Sequence, residues 1–166
     1  HFKNFYKTFP QNEQADEAAY LTAYCYYLEA PKHSLDQAYT FKAINEIQLY
    51  INTHPNSDKL EDCNAYMEEL RSKLELKSYE IAFQYYKTRQ YKAAMTAFTT
   101  TVSEYPDTPY REDALYYKTL SAFKLANNSL EALQDERFTE AKTALNDFEE
   151  AFPTSDRLED LRKLIH

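Results

Sequence analysis

The sequence predicts an all-α fold of helical hairpins stacked into a right-handed solenoid, without β-strands, on three observations. Four prolines recur at near-constant spacing, a small-and-large apolar couple precedes three of them at a fixed distance, and glycine is absent from all 166 residues. With 43% apolar residues the chain can bury a continuous core. Without glycine, turns that need a positive φ must be few or fall to other residue types.

The prolines are Pro10, Pro55, Pro106 and Pro153, separated by 45, 51 and 47 residues. An aromatic residue or histidine precedes each of them: Phe9, His54, Tyr105 and Phe152. Two positions after each stands a residue suited to a helix N-cap, namely Asn12, Ser57, Thr108 and Ser155. An acidic pair follows at six and seven positions: Asp16-Glu17, Glu61-Asp62, Glu112-Asp113 and Glu159-Asp160. There the helix macrodipole favours negative charge, so these pairs read as first-turn carboxylates on solvated faces.

Twelve and eight residues before the last three prolines stand Ala43 and Ile47, Ala94 and Phe98, Ala141 and Leu145. Four positions apart, each couple shares one helix face, the alanine admitting a close neighbour and the larger residue filling the groove. This is the second half of the tetratricopeptide pattern, and Ile81-Ala82 with Tyr85 supplies the first half nine positions before Ala94. The array then divides into 11–55, 56–106 and 107–153, with 1–10 as the end of a preceding hairpin and 154–166 as the start of a further helix. Both ends lack capping helices, and the chain opens without Met, so we expect part of a longer array.

Helices are expected near 13–29, 36–53, 58–88, 91–104, 109–126, 134–151 and 156–165. The third is long because no Pro or Gly interrupts Asn56 to Tyr105 and helix propensity stays high throughout. Such a helix should protrude or brace a neighbour. The extra length of the other repeats falls near 28–40 and 127–137, as long loops or added turns.

The same composition excludes several kinds of chemistry. Phosphate-cradling loops of the nucleotide-binding type need glycine for close backbone approach. A net charge of −8 disfavours nucleic acid as a partner. No apolar run is long enough to span a bilayer. His1, His33, His54 and His166 form no metal-ligand spacing, so neither metal nor cofactor is expected. His33, Ser34 and Asp36 are too close in sequence for a catalytic triad, and Ser34 reads instead as a helix cap. Cys25 and Cys63 are even in number and could form a disulfide, but without a dense cysteine framework they read as two buried thiols behaving as small apolar residues. No catalytic residue emerges, and an enzyme is not expected.

Sixteen tyrosines and ten phenylalanines are the unusual quantity. Most fall on packing positions, but Tyr24 to Tyr27, Tyr85-Tyr86 and Tyr116-Tyr117 place rings on adjacent faces. At least one of each group must leave the primary core face, and exposed tyrosines on a rigid concave wall suit the binding of a peptide or partner domain.

Leu70-Arg71-x-Lys73-Leu74-x-x-Lys77-x-Tyr79-Glu80-x-Ala82-x-x-Tyr85-Tyr86, continued by Tyr91-x-Ala93-Ala94 and Tyr105-Pro106-Asp107-Thr108, resembles the BamD-like outer-membrane lipoproteins. Ala23-Tyr24-Cys25-Tyr26-Tyr27 and Leu35-Asp36-Gln37 extend the resemblance over most of the chain. It implies a tetratricopeptide subunit of the machinery that assembles β-barrel proteins, at the periplasmic face of the outer membrane. Its implied partners are the periplasmic domains of the barrel-forming subunit and unfolded barrel substrates. Membrane contact is implied only through an N-terminal lipid that this chain lacks. The carry-over places partner contact at Tyr86, Lys87, Arg89 and Lys92, exposed around the 85–97 hairpin turn. The turn Thr88-Arg89-Gln90 departs from the family pattern, where a glycine is expected. The competing reading is a general tetratricopeptide adaptor that holds a peptide or protein in another pathway. Its usual carboxylate clamp needs a convergent Lys/Asn/Arg set, which this acidic sequence does not assemble.

Overall fold

The computed structural model describes residues 1–12 and 14–165. Among them are eight α-helices and no strands: α1 (Phe2–Thr8), α2 (Ala15–Glu29), α3 (Ala38–Thr53), α4 (Leu60–Lys87), α5 (Tyr91–Glu104), α6 (Arg111–Asn127), α7 (Glu131–Ala151) and α8 (Leu158–Arg162). A 3₁₀ turn over Lys163–Ile165 follows α8. Glu13, where the sequence reading starts its first full helix, and His166 lie outside the described residues. The all-α, tetratricopeptide-like fold is as the repeat pattern predicts.

The chain forms two compact units, His1–Leu74 and Glu75–His166. In the first, α2 and α3 pair around Ala19, Ala23, Ala43, Ile47, Tyr50, Cys63 and Leu70. In the second, Ala82, Ala94, Phe98 and Ala114 pack α4, α5 and α6 together, and Ala141, Leu145 and Phe148 of α7 meet Phe123 and Leu161. The alanines of the three predicted couples are fully buried, and Ile47, Phe98 and Leu145 are no more than 2% exposed. Truncating Phe98 to alanine would cost about 3–5 kcal/mol by opening a cavity that rigid neighbours cannot fill. The long helix α4 does not protrude: its first half enters the core of the first unit through Cys63 and Leu70, and its second half that of the second through Ala82.

Each repeat junction is built the same way. The residue before proline cannot stay helical, because the proline ring crowds its backbone. Phe9, His54, Tyr105 and Phe152 accordingly adopt φ/ψ of −126/61, −129/60, −128/72 and −137/64, and each ends its helix. Asn12, Ser57, Thr108 and Ser155 then donate their backbone N–H to the carbonyls of those residues, at 3.1–3.2 Å. Their side-chain oxygens accept the N–H two residues on, from Gln14, Lys59, Tyr110 and Arg157, at 2.9, 3.1, 3.4 and 3.2 Å.

This geometry corrects the expected caps. The four polar residues form Asx and Ser/Thr turns just before the helix, and α2, α4, α6 and α8 each begin two residues later than the sequence reading places them. Asp36 does the same for α3, its carboxylate accepting the Ala38 N–H at 2.9 Å, where Ser34 had been expected to cap. At α7 the difference is reversed. Leu130 is extended at φ −61, ψ 144, and Gln134 and Arg137 both reach back to Ser129, so the helix starts at Glu131. The extra length near 127–137 is therefore added turns, whereas residues 30–37 form a true loop.

Two further expectations change. Cys63 is buried, but Cys25 is exposed, and both thiols are free. Ala15, Ala18, Ala19, Thr22 and Ala23 mark the buried face of α2, and Cys25 lies about 200° around the helix from Ala23. Cys63 stands eight residues after Pro55, where Ala18, Ala114 and Leu161 follow the other prolines, and all four are buried. Nor are Glu112 and Asp113 on a solvated face: both are half-buried and pair with Ser155 and Arg157.

Candidate functional site: the tip of the α4–α5 hairpin

Helix α4 ends in a Schellman motif. Gln90 N–H donates to the Tyr85 carbonyl at 2.9 Å and Arg89 N–H to that of Tyr86 at 3.0 Å. The motif needs a left-handed residue between them, and Arg89 adopts φ 61, the one positive φ among the described residues. Glycine would take that conformation freely, whereas a residue with a Cβ bears about 1 kcal/mol or more of strain. The sequence position where glycine was missed is thus the position where the backbone most needs it.

The turn is closed by its own side chains. Thr88 Oγ1 donates to the Gln84 carbonyl at 2.9 Å, and Gln90 Nε2 donates to Thr88 Oγ1 at 3.1 Å. At its start α5 bonds Ala94 N–H to the Gln90 carbonyl at 2.9 Å. The tip is therefore a fixed platform.

Lys87, Arg89 and Lys92 are exposed on it. Lys87 Nζ lies 5.1 Å over the Phe83 ring, which holds its stem along the helix. No Asp or Glu occurs between Glu80 and Glu104, so these three cations form an acid-free stretch in a chain of net charge −8. The ion pairs of the second unit, Lys118 with Asp147, Arg157 with Asp113, Arg162 with Glu149 and Lys163 with Asp160, lie elsewhere. That charge island was readable in the sequence and is missed when only net charge is counted.

Tyr86 corrects the expectation that it stands exposed. It is half-buried, its ring 5.0 Å from that of Tyr117 and 6.1 Å from both Phe83 and Tyr91, and burial pushes its hydroxyl pKa up. Phe83 and Tyr79 continue the row one and two turns back, with Tyr117 edge-on to Phe83 at 4.8 Å and Tyr110 stacked on Tyr79 at 4.9 Å. The surplus tyrosines of the first unit behave likewise: Tyr27 stacks on both Tyr24 and Tyr66, Tyr24 is tilted against Tyr66, and all three are half-buried.

A groove of about 560 Å³ in the first unit, bounded by Tyr6, Pro10, Asp16, Glu46, Tyr50 and His54, is the main alternative. Its polar groups are already engaged: Glu46 pairs with Lys3, and Asp16 accepts the Tyr50 hydroxyl at 3.1 Å and lies 3.4 Å from His54 Nε2. Among the described residues no group of three or more His, Cys, Asp or Glu is placed to hold a metal ion.

Hairpins packed through small-and-large couples, with a rigid cationic tip and a row of half-buried aromatic rings behind it, define the class: a tetratricopeptide-like helical scaffold. The chain belongs to the YfiO family of outer membrane lipoproteins, whose pattern it matches over residues 1–129. It is 27% identical over 112 residues to the outer membrane protein assembly factor BamD of Caulobacter vibrioides, a stretch covering 68% of this chain and 37% of that relative. The matched stretch thus spans well under half the length of that relative. Among the described residues no helix is long and apolar enough to cross a membrane.

Proposed function

We infer that this chain is a non-catalytic scaffold in the assembly of β-barrel proteins at the periplasmic face of the outer membrane. In this reading it holds a partner of the assembly machinery through the α4–α5 tip. The family is one of outer membrane lipoproteins, and the relative named above is an assembly factor.

One observation carries the choice of surface: three exposed cations on a closed, preorganised turn, with no carboxylate between Glu80 and Glu104. A rigid tip loses little conformational entropy on binding. Local positive charge on an acidic chain selects a partner surface rich in carboxylates and orients the encounter. Lys87, Arg89 and Lys92 would meet those carboxylates, Arg89 bidentately, while the exposed part of Tyr86 packs beside them. The periplasmic domains of the barrel-forming subunit are the proposed occupant, and unfolded barrel substrates the proposed cargo.

The test is a photoreactive amino acid at Arg89 in the full-length protein, crosslinked in cell envelopes. Recovery of a large barrel-forming outer-membrane protein supports both the role and the surface. Recovery of an unrelated soluble protein in its place sinks the assembly role and leaves a general adaptor.

A further inference from the structure

The loop between α2 and α3, residues 30–37, sits beside four large apolar side chains turned to solvent. Leu28 is 61% exposed, Leu35 57%, Phe41 54% and Tyr39 49%. All fall within fourteen residues at one end of one hairpin. Tyr39 and Phe41 leave α3 about 200° apart, so the four side chains rim the tip rather than one helix face, and apolar groups gathered there are costly in water.

The loop backbone is unusual too. Gln37 is buried, and its amide Nε2 donates to the carbonyls of Lys32 and Leu35 at 2.8 Å each and of His33 at 3.3 Å. Its Oε1 accepts the hydroxyl of fully buried Thr40 at 2.7 Å. Leu35 N–H donates to the Lys32 carbonyl at 3.0 Å, and Asp36 takes the Ala38 N–H. The two N–H bonds of one side-chain amide thus tie the loop to its own base, reaching the Lys32 and Leu35 carbonyls most closely, while the Lys32 carbonyl also takes the Leu35 N–H. Internal pairing of backbone polar groups is what entry into a lipid interface demands.

Charge points the same way. Residues 28–42 contain Lys32 and Lys42 against Glu29 and Asp36, a neutral balance in a chain of net charge −8. Lys42 Nζ lies 4.6 Å over the Tyr39 ring, where its stem can follow the apolar surface while the ammonium reaches phosphate. Tyrosine and leucine beside lysine are the residues of an interfacial contact. A family of outer membrane lipoproteins works at a bilayer surface.

We propose that the α2–α3 tip seats Leu28, Leu35, Tyr39 and Phe41 in the headgroup region of a bilayer, with Gln37 holding the loop in its inserting shape. The contact is shallow, about one side chain deep, and orients the first unit on the membrane. It is additional to any lipid anchor.

The chain has no tryptophan, so a single Leu35→Trp variant of the 166-residue chain reports the tip alone. Vesicles of phosphatidylethanolamine with phosphatidylglycerol should shift its emission to the blue, and brominated acyl chains should quench it. The control is Asn52→Trp, eleven residues beyond Phe41 on the same face of α3 and about 16 Å along its axis; its emission should not move. Leu35→Ser combined with Phe41→Ser should weaken vesicle partitioning about tenfold or more while helicity by circular dichroism is kept. Unchanged Leu35→Trp emission overturns the proposal. So does an equal shift at position 52, which is adsorption without orientation, or capture of a protein through position 35 without vesicle binding.

Discussion

Ser155 donates its hydroxyl to Glu112 Oε1 at 2.7 Å, joining the turn residue of one repeat to the acidic pair of the repeat before it. The bond is a position of the repeat, not an isolated contact. In the first unit the equivalent serine, Ser57, reaches the equivalent acid, Asp16, through the Tyr50 hydroxyl, at 2.7 and 3.1 Å. Beside Ser155, Arg157 pairs with Asp113 and lies 4.9 Å over the Tyr116 ring. At these two junctions Asp16, Glu112 and Asp113 thus tie one repeat to the next, a role beyond the favourable macrodipole of the first turn.

Ser155→Ala should lower stability by about 1–2 kcal/mol, because it removes a half-buried bond to a carboxylate and the acceptor of the Arg157 N–H together. Urea unfolding followed by helicity measures this. A cycle with Glu112→Gln should show that the two losses are not additive. Additive losses would mean that the bond contributes nothing of its own.

Much of the fold was legible because its signal is periodic. The proline spacing and the alanine couples located every helix after α1 within about three residues, and the uninterrupted stretch after Asn56 announced α4. What was not legible depends on side chains folding back on the backbone. Asn12, Ser57, Thr108 and Ser155 could cap a helix or form a turn before it, and the residue types are the same for both. Gln37 lies outside the repeat pattern, yet it organises a whole loop. At the site, Lys87, Arg89 and Lys92 stand on the surface as read, while Tyr86 is half-buried because Tyr117 arrives from a helix thirty residues away in sequence.

The two thiols should react at very different rates. Cys25 is exposed, whereas Cys63 is fully buried and burial pushes its thiol pKa up, which lowers its thiolate fraction. N-ethylmaleimide at neutral pH should add once to the native chain and twice in urea, read by mass. Fast double labelling of the native chain would mean that the first core opens readily.

Alkali should unfold the protein through its tyrosines. Burial raises the pKa of Tyr50 and Tyr79 to about 12, and the 2.5 Å bond to Glu69, followed by burial, does the same for Tyr27. Between the ordinary value near 10 and about 12 the folded state keeps protons that the unfolded chain has lost. Their stabilising contribution is thus complete below pH 10 and disappears as the pH rises through 12. Phenolate absorbance should rise in two stages, the second together with loss of helicity. Tyr79→Phe, which cannot ionise, should flatten the decline in stability over that window.

Arg89→Gly separates stability from contact at the candidate site. The left-handed φ of 61 at this position costs an arginine about 1 kcal/mol or more, while glycine adopts it freely at the expense of extra disorder in the unfolded chain. The balance should favour the variant by about 0.5–1 kcal/mol, seen as a higher urea midpoint with an unchanged slope. Loss of a bidentate cation from the centre of an acid-free patch should at the same time weaken partner capture in cell envelopes by about tenfold. Arg89→Lys distinguishes charge from geometry: it keeps the strain and the charge but not the planar fork, so its stability should match the parent and its capture should fall between the two. A more stable Arg89→Gly protein with undiminished capture would remove Arg89 from the interface and leave its strained conformation without a functional reason.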